Sequence, residues 1–195
     1  PTPEPTPEPT PEPASDPTPE PTPEPTPVTL KKVLCLHGGG GNGTDFSQQS
    51  GMVDLINNLQ DHDFVFISAN DIEGTNDGLW LEDGKADNEI TNSTNANRSI
   101  TYIENYIVNN GPFYGILGYS QGVAIILSYL GSSNVQAANK NFNKIFLFNG
   151  YKPTYNSDLM TDINANSPFS NETLIFTAEN DGVIDQALSI ELGNY

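Results

Sequence analysis

Apolar side chains fall in short blocks along this chain, separated by polar stretches rich in Gly, Asn and Asp. Val33-Leu34-Cys35-Leu36 is apolar without interruption. A run free of polar alternation predicts a parallel strand over 31–37, covered on both faces. Phe64-Val65-Phe66-Ile67 predicts a second strand, and Phe113–Leu117, Lys144–Phe148 and Thr173–Thr177 predict three more. Between these blocks the spacing changes. Met52, Leu55, Ile56 and Leu59 recur at helical intervals, with Thr44 or Asp45 in place to cap the helix. Ile100, Ile103 and Ile107 mark another helix, ended by Gly111-Pro112. An Ala-, Ile- and Leu-rich helix follows Gly122, and a last one starts near Asp185 as its N-cap. Residues 69–97 read as a long polar loop with Leu79 and Trp80 as its anchors; 131–143 and 149–171 read as connectors. Strands alternating with helices predict an α/β fold: a parallel sheet with helices on both faces.

The first 27 residues do not join this pattern. They repeat Pro-Thr-Pro-Glu, broken by Ala14-Ser15-Asp16, and hold 13 of the chain's 16 prolines and no large apolar side chain. Such a segment cannot bury a core, and is expected to be a disordered, extended spacer. Two domain units follow: a linker over 1–27 and a folded body over 28–195. A tether predicts a further domain at its other end; a docking ligand for a proline-reading module is the rival reading.

Formal charge is −18, and six of the 25 acids lie in the tail, leaving the body with 19 acids against seven bases. A surface this acidic repels nucleic acid and anionic membranes, so neither is expected as a partner. No apolar run approaches the roughly 18 residues of a membrane span, and no signal peptide is visible in the chain. Cys35 is the single cysteine; set in an apolar strand, it reads as a small buried hydrophobe, and no cysteine cluster offers a metal site.

Candidate chemistry centres on Gly118-Tyr119-Ser120-Gln121-Gly122. This Gly-x-Ser-x-Gly lies between a strand pattern and a helix pattern. A sharp strand-to-helix turn brings backbone against backbone, which the two glycines permit, and lifts the central hydroxyl above the sheet at the positive end of a helix. Ser120 is therefore the candidate nucleophile of an acyl transfer. Such a reaction needs fixed donors for the oxyanion. The N–H of Gln121 is one, and the glycine run after the first strand supplies the other, assigned to Gly39. His37 and Gly38 open that run and support it. His37-Gly38-Gly39-Gly40-Gly41 also resembles a phosphate-cradling loop, but Gly-Lys-Ser/Thr is missing and the dinucleotide glycine frame is poorly met.

The orienting acid should follow a later strand at the same edge of the sheet. Asp181, after Thr173–Thr177 and before a glycine, is the choice, with Glu179 a competitor. The general base is harder to place. The order Ser, acid, His puts the histidine after Asp181, yet the 14 residues that follow include none. His37 belongs to the glycine loop, and His62 is expected as a surface residue at the far end of the sheet.

Leu36-His37-Gly38, Asn42-Gly43, Trp80, Gly111-Pro112-Phe113, the string from Gly115 to Gly122, and Asn180-Asp181-Gly182-Val183 together resemble the FSH group of serine hydrolases, in the α/β-hydrolase superfamily. The similarity spans about residues 30–190. It implies an esterase or thioesterase acting on small or medium acyl groups without metal or organic cofactor, with Ser120 as nucleophile and Asp181 as acid. It also implies a histidine in a Gly-Gly-His type segment beyond residue 195. On this resemblance the fold is C-terminally incomplete and the chain is a fragment of a longer enzyme. The rival expectation is a truncated, catalytically dead binding domain on a spacer.

Overall fold

The computed structural model describes residues 1–4, 29–74, 77–91 and 93–195; the linker expected over 1–27 lies, from residue 5 onward, outside the described residues. Five strands, β1 (Lys31–Leu36), β2 (His62–Ile67), β3 (Gly115–Tyr119), β4 (Lys144–Phe148) and β5 (Thr173–Phe176), make one sheet in the order β2-β1-β3-β4-β5. Every pairing is parallel, as the apolar runs predict. All the strands therefore end at one edge, where the loops collect.

Alternate residues of β1 show why the run had to be apolar throughout. Leu34 and Leu36 face a large cluster built with α3 (Thr94–Asn110), α4 (Gln121–Gly131) and α5 (Ser157–Asn166). Val33 and Cys35 face a second cluster with Phe46 and Met52, which come from α1 (Gly43–Gln48) and α2 (Ser50–Asn58). These four side chains of β1 are fully buried. The last helix, α6 (Gln186–Glu191), is capped by Asp185, whose carboxylate accepts from Ala187 N–H at 2.9 Å. α4 lies at the centre of the molecule, with all eleven of its residues buried.

The structure departs from the expected elements in four places, each with a local cause. The helix after β1 is two helices, broken at Gln49, which is extended at φ −61°, ψ 138°. Its cap is Asn42 rather than Thr44 or Asp45: Asn42 Oδ1 accepts from Asp45 N–H at 2.9 Å. Gly43 packs so closely on the end of β2 that a Cβ there would stand 3.0 Å from Ile67 O, so the chain must turn into a helix at once. α3 begins at Thr94, inside the expected loop, because Ala96 and Ser99 are already buried against the core. Leu79 is 37% exposed, and the loop anchors are Trp80 and Leu81. Finally, α5 occupies the expected 149–171 connector. Asn156 caps it, accepting from Leu159 N–H at 3.2 Å, and Leu159 and Ile163 bury one face against α4. Two fully buried residues one turn apart are too few for periodicity to register.

Glycines on these helices should respond to substitution in opposite ways. A Cβ on Gly122 would collide with the carbonyl oxygen of Leu36 and stand 2.9 Å from that of His37, so Gly122→Ala should lose about 1–3 kcal/mol of stability. Gly51, in α2, has open space around its Cβ position, and Gly51→Ala should gain roughly 0.5–1 kcal/mol. Urea denaturation of both variants checks the contrast.

Candidate active site

Ser120 sits between the last residue of β3 and the first of α4, at φ 53°, ψ −117°. Its N–H donates to Phe148 O at 3.0 Å, continuing the sheet ladder, while its carbonyl accepts from Val123 N–H at 3.0 Å, opening the helix. One residue thus closes a strand and starts a helix, and only a left-handed conformation makes both bonds. Held strain of this kind costs on the order of 1–3 kcal/mol. Gly118 and Gly122 make the turn sterically feasible, since a Cβ on Gly118 would stand 2.7 Å from the Gly122 carbonyl. Ser120 is half-buried and lines a cleft of about 670 Å³ with Gly39, Leu79, Tyr151, Val183 and Ile184.

The loop after β1 packs directly on this turn. A Cβ on Gly38 would lie 3.3 Å from Ser120 Cβ, and one on Gly39 would lie 3.2 Å from the Gln121 side-chain amide. Gly40 N–H donates to Gly78 O and Gly41 N–H to Gly38 O, whereas no described residue accepts from Gly39 N–H. Gln121 N–H opens α4 and so has no intrahelical acceptor. Gly39 and Gln121 line the same cleft as Ser120.

Asp181 follows β5 on the same edge. Its Oδ1 accepts from Val183 N–H at 2.8 Å and Ile184 N–H at 3.0 Å, and its Oδ2 from Asn149 Nδ2 at 3.1 Å. The Ile184 amide, then those of Val183 and Asn149, hold its carboxyl below the usual carboxylate range. Asn149 is the residue after β4, at φ 39°, and its own N–H donates to Phe176 O at 2.9 Å. The ends of β3, β4 and β5 thus bring Ser120, Asn149 and Asp181 to one side of the molecule.

Neither histidine joins them. His37 is 1% exposed, and its ring is engaged at both nitrogens. Nε2 accepts from Ala69 N–H at 3.0 Å, which leaves the proton of the neutral ring on Nδ1, donated to Gly38 O at 2.7 Å. Burial pushes its pKa down from 6.5, against the opposing bond to Gly38 and the charge of Asp71. His62 opens β2, paired in register with Lys31 at the start of β1 and so at the opposite end of the sheet from Ser120. It is not the plain surface residue expected: its side chain is 11% exposed, bonded to Asp61 at 2.7 Å and packed edge-on against Tyr114.

Residues 27–194 match the serine hydrolase (FSH1) family. The chain belongs to that family. Among solved structures it is similar to acyl-protein thioesterase 2 of Zea mays, at 20% identity and a TM-score of 0.59, over 86% of this chain and 79% of that one. At this identity what the two share is the fold, the α/β-hydrolase architecture. No curated protein matches the chain.

In this FSH1-family hydrolase the side chain of Gln121 does work that its sequence position did not announce. It is 2% exposed and fully partnered: Oε1 accepts from Trp80 N–H at 2.9 Å, and Nε2 donates to Leu81 O at 3.2 Å and Asp83 Oδ2 at 2.8 Å. Tyr151 OH donates to the other oxygen of Asp83 at 2.7 Å; burial first, then the Asp83 charge, raises the Tyr151 pKa. Trp80 in turn donates from Nε1 to His37 O at 2.8 Å and lies 4.8 Å, ring to ring, from the imidazole. The hydrolase thus ties its Ser120 turn, its glycine loop and its 77–84 segment into one polar brace. The one hint was a Gln at a helix start with no solvent to face.

His37 should report on this brace through pH. Its pKa in the fold lies below 6.5, so its stabilising effect is complete above that value and fades as pH falls toward the folded pKa. His37→Gln should cost about 1–3 kcal/mol near pH 7, and the difference from wild type should narrow as pH falls below 6.5. Chemical denaturation of both proteins across that range checks it.

Proposed function

We propose that this serine hydrolase cleaves carboxylic esters or thioesters of small or medium acyl groups. Ser120 is the nucleophile, Asp181 the orienting acid, and the general base a histidine beyond residue 195. The observation that carries the reading is the left-handed Ser120 at a strand-to-helix turn, lining a cleft with Gly39 and Gln121, whose amides find no acceptor among the described residues. A histidine from outside residues 1–195 is supported by the positions of the other two: His37 is bonded at both nitrogens and His62 lies at the opposite end of the sheet. Apolar surface beside Asp181 also supports it. Phe176 on β5 is 42% exposed and Val183 86%, which suits cover by a further segment.

The steps follow from these roles. Ser120 Oγ attacks the acyl carbon as the base takes its proton. The carbonyl oxygen becomes an oxyanion that accepts from Gly39 and Gln121 N–H, each such donor worth on the order of 3 kcal/mol. Collapse breaks the C–O or C–S bond, and the leaving alkoxide or thiolate receives the proton from the imidazolium. Water, activated by the same base, then adds to the acyl-enzyme and releases the acid and free Ser120. Asp181 holds the base in orientation, through a carboxylate itself fixed by Asn149 and two amides. His37 and Gly38 hold the glycine loop. The chemistry calls for neither metal nor organic cofactor. The same tetrahedral oxyanion serves esters and thioesters alike.

A second reading, a non-catalytic binding domain on this fold, draws on the same placement of the two histidines. An alkyl fluorophosphonate separates them. With the product of the whole reading frame, the probe should label Ser120 and leave Ser120→Ala untouched. Asp181→Asn should lower esterase kcat by on the order of 10⁴, and residues 1–195 alone should show a loss of about 10⁴–10⁶. No labelling, under conditions where a control esterase reacts, establishes the binding reading instead.

A further inference from the structure

We propose that the cleft over Ser120 ranks its occupants by charge, admitting neutral and cationic groups and turning away anionic ones. The inference rests on the hydrolase reading above and narrows the substrate class of that same site.

Three carboxylates and one amine line the cleft: Glu82, Asp83, Glu191 and Lys152. Lys152 Nζ lies 2.5 Å from Glu191 Oε1 and 5.4 Å from the centre of the Tyr195 ring, so its charge is matched within the wall. Glu82 and Asp83 remain. Neither forms an ion pair with a described residue. Both are instead fixed by neutral donors: Asp83 accepts from Gln121 Nε2 and Tyr151 OH, and Glu82 from the side-chain amide of Asn95. A neutral donor holds a carboxylate in place without cancelling its charge. Asp83 is thereby pinned against the side chain of the residue that follows Ser120.

Both carboxylates are exposed, so solvent moderates their field. Within about a Debye length they should still disfavour an anion about tenfold at low salt. The positive end of α4 does not offset this, because it acts within the first turn, on the oxyanion at Ser120 itself. Tyr151 and Tyr155 also line the cleft, and an aromatic ring attracts a cation over its face, which adds to the ranking.

The test uses two isosteric pairs of p-nitrophenyl esters and the product of the whole reading frame. One pair sets the hemiglutarate against the hydrocarbon acid ending in an isopropyl group; the other sets trimethylammoniobutyrate against the acid ending in a tert-butyl group. At about 10 mM salt, kcat/KM for the anionic ester should fall about tenfold below its neutral isostere, and the cationic ester should equal or exceed its own. The anionic gap should shrink at about 0.5 M salt and in Glu82→Gln. Equal rates for the anionic ester and its isostere, or a gap indifferent to both salt and Glu82→Gln, overturn the charge ranking and leave the hydrolase reading standing. Hydrolysis of none of the four esters, with Ser120 unlabelled by fluorophosphonate, overturns both.

Discussion

Much of this structure answers to the double duty of one residue. Ser120 must complete the ladder between β3 and β4 and begin α4 in the same step. A chain can do that only by bending through a conformation that L-residues avoid, and only if its neighbours have no side chains in the way. The bend is held because both ends are immovable. β3 is paired on both sides within the sheet, and α4 is buried along its whole length. The strain is thus sustained by the burial of two elements, and the result is a hydroxyl-bearing residue fixed in position before any ligand arrives.

Around that turn, the buried polar side chains of the described residues each have a partner. His37, Gln121 and the Trp80 indole N–H are nearly inaccessible, yet their bonds to Gly38, Ala69, Leu81, Asp83 and one another are complete. Removing one member of such a set leaves another donor or acceptor stranded away from water, at a cost of about 1–3 kcal/mol. The 77–84 segment has few apolar anchors besides Trp80 and Leu81, so this network largely defines its course. Asp83, at the end of the network, also gives the cleft part of its charge. Scaffold and selectivity are therefore coupled through Gln121.

The sheet was legible because covering a strand on both faces forces an unbroken apolar run, and Val33–Leu36 or Phe64–Ile67 could hardly be anything else. The turn at Ser120 was legible for a related reason: glycines at both flanks of a strand–helix junction have few other uses. What escaped was carried by single residues. α5 rests on a cap at Asn156 and a short apolar face, too little for a period. The cap at Asn42 sits where Gly43 meets β2 closely, a tertiary fact. Leu79 and Leu81 look alike in sequence, and only the bonds from Gln121 decide which one turns inward. Asn149, which bonds Asp181 across 32 positions, and Gln121 are polar residues whose partners are set by the fold, not by their neighbours in the chain.

Cys35 illustrates how completely the centre of the sheet is sealed. It lies mid-strand in β1, flanked by β2 and β3, with no exposure to solvent, and burial raises its thiol pKa well above the ordinary value. A thiol so placed is inert to alkylating reagents while the strands stay paired. Its modification rate therefore measures how often the centre of the molecule opens, and this protein carries a native clock for its own unfolding.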